Sequence, residues 1–124
     1  MATEHNRQAL RPSAGGMVTL TIAEEIARLR DSTEWTSADR HSVSVVKDDA
    51  LNVLLIMLKK GAHLHEHRTK GPITVQLVSG SVGFTGGSAH FVVSAGQIVA
   101  LDRNVPHSLE ALEETALILT TAIS

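Results

Sequence analysis

From His41 onward the chain is cut into short apolar stretches by turn residues, and this cadence most limits what it can fold into. Val43 and Val45 alternate with polar neighbours, and Lys47-Asp-Asp-Ala50 makes a turn. Leu51 to Leu58 is almost wholly apolar, which predicts a strand covered on both faces. Ile73 to Val78 is a further strand, closed by Ser79-Gly80. Val82 to Thr85 and Ala89 to Val93 flank Gly86-Gly87, a hairpin signal because glycine takes the positive φ of a tight turn. Ala95-Gly96 leads into Ile98 to Leu101, and Ala116 to Thr120 is the last strand. Short strands at spacings of roughly 8–12 residues predict an all-β sandwich or barrel. Aromatic residues are only 2% of the chain, so its core must be built from Val, Ile, Leu and Ala.

The 124 residues suit one domain. Residues 1–18 read as a flexible or partner-ordered tail, and residues 19–124 as the domain. One short helix is expected over Thr21 to Arg30. Thr21 and Glu24 have capping-box spacing, and Ile22, Ile26 and Leu29 form one stripe. So short a helix must dock on something larger. Trp35 follows in a polar stretch, either as a plug at one end of the core or at a subunit or ligand surface.

Histidine carries the chemistry. The chain has 7 His and no Cys, which removes disulfides, thiolate zinc sites and a Cys nucleophile. In Gly61-Ala-His-Leu-His-Glu-His67, the residues His63, His65 and His67 would share one face of a regular strand, with Leu64 and Glu66 on the other. Imidazoles ~6.6 Å apart along a strand can converge on one ion, whereas ~13 Å is too far. A regular strand therefore permits His63 with His65, or His65 with His67, and hardly all three. A run of exposed His at a strand end is the plainer alternative. Further on, Gly96 opens a turn and a strand, Asn104 suits a left-handed backbone, and Pro106 leads to His107 at a strand start.

These two segments resemble the motifs of the cupin superfamily. Gly61, His65, His67 and Gly80 fit the first motif, over residues 61–80, and Gly96, Asn104 and His107 fit the second, over 96–111. The likeness covers roughly residues 40–123. It implies a double-stranded β-helix, a small jelly-roll barrel, here with the short N-terminal helix. It also implies one metal inside the barrel, held by His65, His67 and His107, and a homodimer.

The departures are specific. The family's carboxylate position falls on Ile73 or Thr74, Ala111 replaces the Asn of the second motif, and Asp102 replaces its Pro. The possible fourth ligand is Gln76, if a bulge brings it inside, or His63, if the strand bends at Gly61. Imidazole ligation suits a divalent transition metal, whether Zn, Fe, Ni, Mn or Cu. His5, His41 and His90 read as bystanders, Glu110, Glu113 and Glu114 as a solvated face, and Asp102 and Arg103 as a solvated turn that can gate the barrel mouth.

A small metal-binding barrel acting on a small organic molecule, as a dioxygenase, isomerase or lyase, is the leading functional expectation. The alternatives are a non-catalytic metal- or ligand-binding barrel, such as a sensor or accessory subunit, and a metal-free assembly barrel. A net charge of -2 offers no basic field for nucleic acid. The apolar run Val53 to Leu58 is far short of the ~20 residues of a membrane helix, and no export signal opens the chain, so a cytoplasmic location is expected.

Overall fold

The structure, a computed structural model, describes residues 16–122. His5 and most of the expected tail lie outside the described residues. Two helices come first, α1 (Ile22–Arg30) and α2 (Thr33–Ser37). The strands follow as β1 (Arg40–Lys47), β2 (Leu51–Leu58), β3 (His63–His67), β4 (Ile73–Ser79), β5 (Ser81–Gly86), β6 (Ala89–Ser94), β7 (Ile98–Leu101), β8 (His107–Ala111) and β9 (Thr115–Ala122).

These strands form two antiparallel sheets, ordered β1-β2-β9-β4-β7 and β3-β8-β5-β6. After β2 every connection except the β5–β6 hairpin crosses from one sheet to the other, which winds the pair into a double-stranded β-helix. In that hairpin Gly87 at φ 57 and Ser88 make the two-residue turn. Among the described residues no strand of one sheet pairs with a strand of the other. The architecture is thus an open two-sheet sandwich where closure into a barrel was expected.

The main core fills the space between the sheets, with Ile56, Leu58, Val75, Leu77, Val82 and Leu117 in it. A second cluster lies on the outer side of the five-stranded sheet, where Leu55 and Met57 meet Leu29, Trp35, Val45 and Ala116. Alternation along β2 therefore feeds two cores, which explains its nearly continuous apolar sequence. The cover on its outer side comes from the chain's own helices, so this strand gives no reason to invoke a partner. Trp35 is 6% exposed and plugs this layer, with the Lys59 Nζ 4.9 Å from its ring centre.

Helix α1 forms as expected, but its start is not held as expected. Thr21 takes the N-cap position and its side chain makes no capping bond. The Glu24 and Glu25 N–H groups donate to the Thr21 carbonyl instead, at 3.0 and 3.1 Å. Leu29 and Ile26 dock the helix on the sheet. Helix α2 has a side-chain cap, the Ser32 Oγ accepting from the Trp35 N–H at 3.2 Å.

Candidate metal centre

Strand β3 holds the histidine run and lies against β8. His63 faces Glu110, Leu64 faces Leu109 and His67 faces His107, with a register shift between Leu64 and His67. Two residues, His65 and Glu66, thus stand against the single residue Ser108, which is a β-bulge. The bulge breaks the two-residue period. Leu64 and His67 both line the cavity between the sheets, while His63, His65 and Glu66 line a groove on the outer face. The expectation that His63, His65 and His67 share one face does not survive this insertion, nor does the separation of Glu66 from His63 and His65.

Between the sheets, His67 and His107 meet edge to face, with ring centres 4.3 Å apart at 61°. His107 is 6% exposed and stacks on Phe84 at 6.2 Å. Each ring is turned by a backbone carbonyl two residues upstream. The His67 Nδ1 lies 3.3 Å from the His65 oxygen, and the His107 Nδ1 lies 3.0 Å from the Val105 oxygen. A carbonyl only accepts, so each Nδ1 donates there, and in the neutral ring the lone pair then sits on Nε2. This is the orientation that outer contacts impose on metal-ligating imidazoles.

The loops tie this pair in place. Asn104 is left-handed at φ 61, as its side chain allows, and its N–H donates to the Thr69 carbonyl at 2.9 Å. The Pro106 carbonyl accepts from the Gly87 N–H at 2.9 Å. The segments after β3 and before β8 are thereby fastened to each other and to the hairpin turn. The cavity beside the pair measures about 20 Å³, with Ile73, Val75, Phe84 and Leu117 in its wall. That volume holds roughly one water or ion.

The remaining expected ligands stand elsewhere. His65, the third ligand that the resemblance implies, lies on the outer face with His63. Gln76 is exposed on β4, between the buried Val75 and Leu77. The β4–β9 ladder is regular from Ile73 to Leu77 and shifts only beyond it, so no bulge turns Gln76 inward. Ile73 lines the cavity and presents a hydrocarbon where a carboxylate was sought. Asp102 and Arg103 are exposed and do not line the cavity. Among the described residues no three His, Cys, Asp or Glu side chains are grouped to hold a metal. The interior donor set is two imidazole nitrogens, which fits a transition ion whose other positions are filled by water or an anion.

Sequence reasoning passed over the outer groove. It measures about 440 Å³, and His63, His65, Glu66, Thr85, His90 and Glu110 line it. The His90 Nδ1 is 2.9 Å from the Thr85 Oγ1. His90 faces Thr85 across the β5–β6 hairpin, so the hairpin register was the signal that would have placed it there.

No protein-family model matches the chain, and no curated protein does. Solved structures do match. A conserved protein of unknown function from Streptococcus pyogenes superposes with a TM-score of 0.65 at 25% identity, over 68% of this chain and 75% of that one. A cupin superfamily protein from Desulfitobacterium hafniense DCB-2 gives 0.67 at 13% identity, over 68% and 78%. A variant of salicylate 1,2-dioxygenase from Pseudoaminobacter salicylatoxidans gives 0.64 at 16% identity, over 68% of this chain and 26% of the enzyme.

Proposed function

The chain has the cupin fold, and we propose that it is a metal-binding protein of that architecture, holding a divalent transition ion with the Nε2 atoms of His67 and His107. The observation that carries this reading is the pair of Nδ1 contacts to backbone carbonyls, which leaves both Nε2 lone pairs free. A bound ion would act there as a Lewis acid toward a coordinated oxygen. The protein's own part is to fix the rings, through the Val105 and His65 carbonyls, and to wall the inner side of the pair with Phe84 and Ile73.

A cavity of about 20 Å³ admits an ion or a water and no organic molecule. This favours the non-catalytic reading, a sensor or accessory barrel. The second reading, an enzyme acting on a small organic molecule, is favoured by the exposure of His67, which lets a small molecule reach the pair from outside. The neighbour that is a dioxygenase lends that reading its fold and nothing finer.

Native mass spectrometry on zinc- or nickel-loaded protein tests the proposal. His107→Ala and His67→Ala should each carry one ion fewer than the unaltered chain. Equal ion content in all three would overturn it. A metal-loaded protein that turns over no member of a panel of diketones, thiols and sugar acids would support the non-catalytic reading.

A further inference from the structure

We propose that the groove on the outer face of the four-stranded sheet binds a small organic amine, with Glu110 and Glu66 holding the ammonium head and the groove wall taking its apolar body. This site is independent of the interior imidazole pair and of any ion held there.

The cross-strand register builds the groove. One row crosses all four strands as His63, Glu110, Gly83 and Val92. The next row sets His65 and Glu66, at the bulge, against Ser108, and continues to Thr85 and His90. Long side chains thus stand on the outer strands β3 and β6. The inner strands carry Gly83, Ser108 and Thr85, and Glu110 is their one long member. Short side chains down the middle of a sheet, with long ones along its flanks, leave a trough. Gly83 deepens it. Its φ is not positive, so backbone conformation does not call for glycine there. A Cβ at this position would stand 3.4 Å from the His90 Cε1 and 4.0 Å from the Leu112 Cδ2. Glycine in a strand interior often marks such a close approach. Here it lets the His90 ring, held to the Thr85 Oγ1 at 2.9 Å, lie close against the sheet. The groove of about 440 Å³ is in the range of small-molecule sites, roughly 300–1,000 Å³.

The lining selects the charge of the ligand. Glu66 and Glu110 face the groove, and no Lys or Arg lines it. The Glu110 Oε2 stands 4.0 Å from the His63 Nε2, beyond hydrogen-bond length. Among the described residues neither carboxylate has a hydrogen-bonding partner, so their oxygens are open to a donor. An ammonium brings three N–H donors and the opposite charge. One nitrogen at ~2.8 Å from each atom also bridges Glu110 and the His63 ring. An anion would meet two carboxylates there. Leu112, 42% exposed, offers its side chain to the apolar part of the ligand.

Calorimetry and amide NMR titration of the full chain, in chelator-treated buffer, test the proposal with phenylethylamine, phenylpropionate and phenylethanol. These probes share a phenyl body and differ in charge. The amine should bind saturably below millimolar, shift β5, β6 and β8 amide resonances, and bind roughly tenfold tighter than the other two. Glu66→Gln/Glu110→Gln should remove that preference. Gly83→Val, whose β-branched side chain suits a strand, should raise the His90 ring and abolish binding with an unchanged far-UV spectrum. Equal binding of the three probes, no binding of the amine, or a preference untouched by the double Gln variant would each overturn the proposal. Both glutamates are exposed, so the double variant decides the matter even where Gly83→Val misfolds.

Discussion

At the scale of single residues, turn chemistry was legible and side-chain direction was not. Asn104 announced a left-handed turn by its residue type, and the structure has φ 61 there. Asn104→Ala should cost about 1 kcal/mol because alanine disfavours that region, whereas Asn104→Gly should cost nothing. Urea denaturation of the two variants measures the difference. Trp35 was legible as a plug, since a lone large apolar side chain is most simply buried. Trp35→Ala should destabilise by ~3–5 kcal/mol through the cavity it leaves. Which way each histidine of 63–67 points was not legible. Residue spacing along one strand does not reveal how many residues stand against the partner strand.

At the scale of elements, apolar periodicity located β1, β2, β4 and the β5–β6 hairpin, because each repeats its pattern over enough residues to be read. It missed α2, which has five residues and is set by the packing of Trp35 and the cap from Ser32. The two helix starts differ in a way that stability can show. Ser32→Ala removes a side chain that accepts from the Trp35 N–H, and should cost about 1 kcal/mol, in the range of lost N-caps. Thr21→Ala removes no capping bond and should cost less than about 0.5 kcal/mol. Thermal melts of the pair decide it. Strand β3 allows an unusual edit. The bulge sets His65 and Glu66 against Ser108, so deleting Glu66 would leave an ordinary ladder with Leu64 and His67 still inward. The deletion variant should fold and keep the ion proposed for His67 and His107. Its loss of that ion, read by native mass spectrometry, would contradict the assignment of the bulge.

At the scale of the whole molecule, the open side of the sandwich stands out. Strands β6 and β7 are the outer strands of their sheets, and Phe91, Val92 and Ile98 on them are 60%, 60% and 61% exposed. Residues 71–101 contain no Asp, Glu, Lys or Arg, although 24 such residues occur in the chain (11 Lys+Arg and 13 Asp+Glu). Sheet edges that stay single are usually guarded by charge or proline, and these strands have neither. We therefore expect the homodimer to form along this edge, and light scattering should give twice the chain mass. Val92→Lys/Ile98→Lys should give one chain mass with an unchanged far-UV spectrum. A monomeric unaltered protein would remove the expectation. The order of the larger sheet also has a consequence in time. Strand β9 lies between β2 and β4, so its residues 115–122 are the last of the described strands to leave a ribosome and yet complete the middle of the sheet. Until they emerge, β2 and β4 each have one edge of backbone N–H and C=O groups unpaired. Synthesis of this small protein thus includes a late interval of vulnerability, which chaperones are suited to shelter.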